Sequence, residues 1–322
     1  MLNYLLQKNM LYRTVQVFAP ATVANVGPGF DIFGFAVHEP GDEVVATLSP
    51  EPGVRITSIT GDGGALPLDC SKNTASVAVT GLLARIEAKR GIDLEIHKKM
   101  PLGSGLGSSA ASAVAAVVAV NELLGKPLER HKLLPFTMEA ERIACGAAHA
   151  DNVAPSLLGG FILIRSYAPL DIVKIPTPQG LTATVVHPHI EVRTEDARRI
   201  LRSTTPLSST ISQCGNVAGL IAGLLTKNYG LIGRSLTDCI VEPQRALLIP
   251  GFREVKRAAL GAGALGCSIS GSGPSLFALS SSLEIGTAVG QAMKEAFASL
   301  ELASDVFISL INKEGPKIIA MD

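Results

Sequence analysis

The chain has no tryptophan, four tyrosines and ten phenylalanines, and its 28 basic residues are balanced by 28 acidic ones. A nucleic-acid binder wants a basic face and often aromatic platforms for stacking, so that class is disfavoured and no nucleic-acid partner is expected. The five cysteines (Cys70, Cys145, Cys214, Cys239 and Cys267) are odd in number, far apart, and never spaced C-x-x-C. Neither a disulfide framework nor a zinc site is indicated; they read as small buried hydrophobes in a reducing cytoplasm. The longest apolar run, residues 110–120, is broken by Ser112 and too short to span a bilayer, so no membrane partner is expected. The apolar patch at residues 2–6 has no basic segment before it and no clear cleavage site after it, and residues 1–12 read as an extension outside the fold.

What remains is a chain of 322 residues, 47% apolar and 17% charged, enough for one large globular domain or two. A small, charged, diffusible substrate suits this balance. Strand-like and helix-like segments are mixed without regular βα alternation, which points to an α+β class. Strand-like segments are residues 14–18 (an edge strand), 41–48, 54–59, 94–96, 159–165, 182–187, 266–269, 276–280 and 305–310. Helical periodicity covers 74–90, 110–124, 128–150 (one or two helices), 195–201, 208–226, 231–238, 251–260 and 290–300. The proline-rich connection at 176–180 sets a boundary between residues 13–175 and 176–322.

The most informative segment is Pro101-Leu102-Gly103-Ser104-Gly105-Leu106-Gly107-Ser108-Ser109-Ala110-Ala111-Ser112. It follows a strand pattern and precedes a helix of about four turns that stops at Gly125 and Pro127. Alternate glycines let the backbone approach a ligand, and the amides at a helix start favour an anion such as phosphate. Ser108 and Ser109 add hydroxyls for phosphate oxygens or Mg²⁺. The pattern is not a Walker loop, since no lysine follows the glycines, and protein-kinase signatures are missing. The G-x-G-x-x-G at Gly261, Gly263 and Gly266 runs from helix to strand, the reverse of a dinucleotide fingerprint.

Two further glycine-rich segments, residues 19–31 and 266–275, flank this loop in the sequence. The triplet, in this order, resembles the GHMP kinase superfamily, and the middle segment is similar to its P-x-G-x-G-L-G-S-S-A phosphate loop. The resemblance runs from about residue 13 onward. It implies an N-terminal domain like the second domain of ribosomal protein S5, a ferredoxin-like C-terminal domain, and ATP between them. Four more segments resemble the homoserine kinases of that superfamily: residues 23–34 around Asn25 and Asp31, 149–156, Thr194-Glu195-Asp196-Ala197-Arg198, and Glu242-Pro243-Gln244-Arg245 with Ile249-Pro250-Gly251. That likeness implies transfer of the ATP γ-phosphoryl group to the side-chain hydroxyl of L-homoserine, a step of threonine biosynthesis, in a homodimer.

The resemblance places Asn25, Asp31, His149, Asn152, Arg198 and Arg245 at the amino-acid site, with Asn152 beside the reacting hydroxyl and Thr194 as a further catalytic member. A zwitterion wants a carboxylate for its ammonium, which Asp31 offers, and guanidinium forks for its carboxylate, which Arg198 and Arg245 offer. Outside the resemblance, Arg198 reads as part of a solvated helix face, and His149 as a core or cap residue. On the nucleotide side the resemblance implies Mg²⁺ on Ser109 and Glu141, with Glu139 as the neighbouring decoy. It also suggests Asn73 for adenine contact and a turn at residues 271–273 bordering the phosphates. Asp151 is the one obvious candidate for a general base, and a base-free design in which Asn152 orients the hydroxyl is favoured. The alternatives are another superfamily kinase, for an isoprenoid or sugar alcohol, and a nucleotide-binding sensor without catalysis.

Overall fold

The computed structural model describes residues 12–146 and 148–322; the expected N-terminal extension falls almost wholly outside the described residues. Two sheets organise the chain. The first contains β1 (Thr14–Ala24), β2 (Phe33–Ser49), β3 (Gly53–Thr60), β4 (Gly91–His97), β5 (Phe161–Tyr167), β6 (Leu170–Ile175) and β11 (Lys317–Met321). Its path runs β11-β1-β2-β4-β3, with the β5–β6 hairpin attached to β2. All its pairs are antiparallel except β3 with β4. Val15, Val17 and Ala19 of β1 alternate inward and are fully buried, as a half-covered sheet requires.

Over that sheet lie α1 (Thr74–Arg85), α2 (Ser108–Leu123) and α3 (Leu134–Cys145). Helix α2 touches β1 and β2 on one side and α1 and α3 on the others. It is built of Ala, Val and Ser and buried nearly all round, which is how a central helix differs from a surface one. Small side chains let it approach the sheet closely.

The second sheet has the order β10-β7-β9-β8 and is antiparallel throughout: β7 (Thr182–Pro188), β8 (Gly266–Ile269), β9 (Leu276–Ser280) and β10 (Ser304–Leu310). Between β7 and β8 run α5 (Thr194–Arg199), α6 (Leu207–Thr226), α7 (Tyr229–Ser235), α8 (Glu242–Arg245) and α9 (Phe252–Gly261), after α4 (Val153–Leu158) of the first half; α10 (Leu283–Ala298) links β9 to β10. Strand, helices, two strands, helix, strand in a 4-1-3-2 order is the ferredoxin-like arrangement that was expected. Residues 176–181 join β6 of the first sheet to β7 of the second, and β11 returns the chain to the first sheet.

Several sequence expectations need correction. Strand β1 is not an edge, because the unread β11 pairs with its outer side. Helix α1 ends at Arg85 instead of residue 90, where Glu87 turns the chain at φ +54. Gly91 opens β4 rather than capping that helix: a Cβ there would lie 1.8 Å from the Glu51 carbonyl oxygen. Residues 128–150 split into a 3₁₀ turn and α3, and α4 and β6 were not anticipated. Helix α10 starts seven residues earlier than its pattern, because Ser282 caps it by accepting from the Ile285 amide. Cys267 alone among the described cysteines is fully buried, and Cys214 is exposed on α6.

Candidate functional site

A cavity of about 370 Å³ opens where the two sheets meet. Most of the expected residues line it: Asn25, Asn73, Leu102, Gly103, Ser104, Gly105, Gly107, Ser108, Ser109, Glu141, His149, Asn152, Thr194, Arg198 and Arg245. Pro101, Leu106 and Asp31 are not part of its wall. Leu106 is instead a core side chain, 1% exposed, because the loop dips into the sheet there and its carbonyl accepts from the Thr22 amide at 3.0 Å.

The phosphate-loop end is made of backbone. Gly103, Gly105 and Gly107 all have positive φ (63, 76 and 70). At Gly105 a Cβ would lie 2.4 Å from the Ser270 carbonyl oxygen, and at Gly107 it would lie 2.2 Å from Thr22 Oγ1, so only glycine fits. The loop is bolted to the second half of the chain: Ser270 Oγ donates to the Gly105 carbonyl at 2.7 Å, and the Ser275 amide donates to the Ser104 carbonyl at 3.2 Å. Gly107 is the N-cap of α2 and supplies no side-chain acceptor, which leaves the first amides of that helix for another anion. Ser104 Oγ is buried with no hydrogen-bond partner among the described residues. Both observations fit a bound phosphate group.

The two adjacent serines diverge. Ser109 Oγ donates to Glu141 Oε1 at 2.8 Å, while Ser108 Oγ donates to Asp42 at 2.9 Å. Ser108's hydroxyl hydrogen is therefore committed away from any phosphate, against the expectation that both hydroxyls face the ligand. Burial pushes the Glu141 carboxyl up to about 7, against the Ser109 hydrogen bond and the more distant Lys98 charge. The decoy Glu139 pairs at the surface with Arg142. Among the described residues no group of three or more His, Cys, Asp or Glu is placed to hold a metal by itself. One carboxylate and one hydroxyl do suit Mg²⁺, which keeps water and substrate phosphate in its shell. Asn73 caps α1 by accepting from the Ala75 amide at 3.1 Å and donating to the Pro67 carbonyl at 3.2 Å. That local job explains its position as well as adenine contact does; Leu66, Pro67 and Lys72 line the same wall.

The opposite end is made of side chains. Asn25 and Asp31 both sit at positive φ (57 and 59) in the β1–β2 connection. Asn25 Oδ1 accepts from the Asp31 amide at 2.8 Å and its Nδ2 donates to the Gly271 carbonyl at 2.9 Å, so its amide first stitches the two halves together. Arg198 reaches Asp31 through two nitrogens at 2.8 and 3.3 Å, an ion pair and not a solvated helix face. Arg245 is 2% exposed; its Nε and Nη1 donate to the carbonyls of Ala197 and Gly271 at 3.1 and 2.9 Å. Burial, with Arg198 nearby, lowers its pKa to about 10, so it stays charged at neutral pH.

Phe30, unremarked within the opening motif, lies under both guanidinium groups, with ring-centroid distances of 5.5 Å to Arg198 and 4.9 Å to Arg245. His149 Nδ1 is 3.6 Å from Asp31, and its Nε2 is buried without a partner among the described residues. Burial holds this imidazole below its ordinary pKa, hence neutral.

Asn152 lines the cavity beside Gly107 of the loop. Its Oδ1 accepts from Thr22 Oγ1 at 2.7 Å, which fixes the amide. Thr194 Oγ1 lies 3.3 Å from Ser272 Oγ, linking the start of α5 to the 271–273 turn. Asp151 is buried and its carboxyl is pushed up to about 7, first by burial and then by Asp31 and Glu141. Thr22, Phe30, Asp42 and Lys98 were missed by sequence reasoning. Phe30 was adjacent to a recognised residue, but the others sit in or at the ends of ordinary strands and carry no local signal.

A helix terminus suited to phosphate and two arginines, one of them ion-paired with Asp31, share one cavity and define a small-molecule kinase site on this fold, and comparison agrees. The models for the GHMP kinases N terminal domain and GHMP kinases C terminal match residues 73–160 and 220–299, and the chain belongs to the GHMP kinase family. Within it the chain groups with the homoserine kinases. It is 56% identical to the homoserine kinase of Chlorobium phaeobacteroides strain BS1, over 95% of this chain and 100% of that protein. It is 40% identical to that of Xanthomonas campestris pv. campestris, covering 96% and 95%. The crystal structure of homoserine kinase from Cytophaga hutchinsonii superposes with a TM-score of 0.95 at 60% identity, covering 96% of this chain and 98% of that one. The crystal structure of L. major mevalonate kinase shares the fold at a TM-score of 0.72 and 17% identity, over 94% and 98% of the two chains. No described helix is long and apolar enough to cross a membrane.

Proposed function

We propose that this cavity transfers the γ-phosphoryl group of ATP to the side-chain hydroxyl of L-homoserine, releasing O-phospho-L-homoserine and ADP. The observation that carries the reading is the opening of the α2 N-terminus, Asn152, Arg198 and Arg245 onto one cavity, with Arg198 ion-paired to Asp31.

The acceptor end suits a zwitterion. Asp31 and Arg198 neutralise each other in the free protein. An amino acid entering there replaces that contact with two, ammonium to Asp31 and carboxylate to Arg198 and Arg245. Arg245 is held rigidly by two carbonyls, so its remaining nitrogen is pre-aimed. His149 Nε2 gains a partner when substrate arrives. Asn25 shapes the pocket through Asp31 and Gly271. Asn152, its carbonyl oxygen already taken by Thr22, presents its NH₂ to the acceptor hydroxyl and orients it. Thr194 adds a hydroxyl from the α5 side of the cavity.

At the other end, loop amides from 103 to 109 and the α2 dipole hold the phosphates, and the 66–73 wall holds the base. Ser109 and Glu141 hold Mg²⁺, which when bound neutralises phosphate charge. Phosphoryl transfer through a loose transition state asks chiefly for alignment and charge neutralisation, so no strong base is required. Asp151 is placed to polarise the site, not to be the obligatory proton acceptor.

We place the reaction in the cytoplasm, in keeping with free thiols at Cys70, Cys214, Cys239 and Cys267. We further propose a homodimer; Leu207 and Ile211 on α6, 74% and 65% exposed, are apolar surface that association would cover. The test of the function is ADP release with Mg-ATP across L-homoserine, D-homoserine, L-threonine, mevalonate, galactose and no acceptor. Turnover confined largely to L-homoserine supports the reading. Turnover on a different alcohol overturns the acceptor assignment, and ATP binding without turnover on any acceptor overturns catalysis.

A further inference from the structure

Beneath the phosphate loop lies a charged cluster that none of the roles above uses. Lys98, just past the end of β4, and Asp42, inside β2, form an ion pair whose side chains are 2% and 0% exposed. Each ammonium hydrogen has a separate acceptor: Asp42 Oδ2, the Ser108 carbonyl at 2.9 Å and Ser112 Oγ at 2.7 Å. The carboxylate is equally occupied. Its Oδ2 also accepts from Ser108 Oγ at 2.9 Å and Ser112 Oγ at 3.0 Å, and its Oδ1 accepts from the Lys99 amide at 2.9 Å. Lysine has three donors and no more, so this network is closed and Lys98 has no hydrogen left for a ligand.

Ser108 and Ser112 are the first and fifth residues of α2, one turn apart on one side of the helix, and with Lys98 they form part of the cavity lining. The pair therefore grips the first turn of the helix whose amides bind the anion. A buried ion pair is seldom retained for stability alone, since an apolar pair of similar volume packs at least as well. The charges also have an electrostatic consequence. Asp42 lies at the same helix terminus that receives phosphate, and without Lys98 its carboxylate would repel the nucleotide. The other charges that Lys98 senses, Glu141 and Asp62, are acidic as well.

We propose that Lys98 and Asp42 form a neutral brace beneath the phosphate loop, with Lys98 a positioning residue that fixes the first turn of α2 through Ser108 and Ser112 and cancels the Asp42 charge without touching ATP. The inference rests on the ATP reading above.

The test compares wild type, K98M and the K98M/D42N double variant by calorimetric titration of ATP and by steady-state ADP release with L-homoserine. K98M is expected to weaken ATP binding about 30-fold or more, the scale of one unscreened charge near the phosphates, while the L-homoserine KM moves by less than about threefold. The double variant, which restores neutrality, should bind ATP within about fivefold of wild type. If it binds no better than K98M, Lys98 acts by direct contact and the brace is overturned; so is it if K98M binds ATP like wild type. Should K98M not fold, Ser112→Ala keeps both charges and removes one bridge. It is expected to weaken ATP binding about fivefold, the size of one neutral hydrogen bond, and an unchanged affinity overturns the proposal. Wild type that binds ATP but turns over no L-homoserine would overturn the functional reading and leave the brace testable by binding alone.

Discussion

The two ends of the cavity solve opposite problems with opposite materials. On the proposed reading the phosphate end is assembled from consecutive residues, 103 to 109, and offers the ligand main-chain amides in the left-handed backbone that three glycines permit. The acceptor end draws on Asp31, His149, Arg198 and Arg245, more than 200 residues apart at the extremes, and its groups are charged side chains that restrain one another. Triphosphate is common to many reactions, so a backbone cradle that reads only charge and shape suffices. The acceptor must be told from other alcohols, and that calls for separately placed charges.

Breaking the cradle should have the largest effect. Gly105→Ala must put a Cβ 2.4 Å from a backbone oxygen at φ +76, so ATP affinity by calorimetry should fall more than about 100-fold. Wild-type affinity in that variant would show the loop to be far softer than its contacts suggest. Next is Arg198→Lys, which keeps the charge and removes the fork to Asp31. The L-homoserine KM should rise about 10- to 100-fold with the ATP KM unchanged. A parallel rise in both constants would mean that the two ends are not independent. Asp151→Asn should leave kcat within about tenfold of wild type; a fall of several orders of magnitude at constant KM would make Asp151 the base.

The smallest effect concerns pH. Asp151 and Glu141 are held near 7 in the fold and titrate near 4 when unfolded. The folded protein then binds protons that the unfolded chain has released, so their contribution is fully present below about pH 4 and disappears as pH rises through 7. The ligand-free Tm should therefore drop between pH 5 and 7.5, and the drop should shrink by a few degrees in Asp151→Asn. Equal slopes in the two proteins would show that Asp151 ionises normally.

Legibility followed the same divide. The glycine-rich loop and the β8 and β9 bounds were readable because glycine spacing, helix starts and alternating strands are local patterns; the Ser109–Glu141 pair came from family likeness. Arg198 was not readable from its own segment, where Glu195, Asp196 and Arg199 make it resemble solvent-facing helix; family likeness supplied it. Phe30 escaped notice because an aromatic in a glycine-rich turn signals nothing until two arginines from other segments arrive over it. Strand β11 escaped because its side chains are mostly exposed, and its pairing with β1 is a main-chain event.

By itself, the sequence determined the α+β class and a glycine-rich anion-binding loop ahead of a helix, since these follow from residue type, spacing and backbone freedom within short windows, while the acceptor residues came from family likeness. Only the tertiary structure decided that Ser108 turns to Asp42 while Ser109 turns toward Glu141, that Asp31 meets Arg198, and that Lys98 is buried against Asp42 beside the loop. The physical reason is burial. A charged side chain removed from water must find its partner wherever the fold brings one, and no window of sequence contains both members of such a pair.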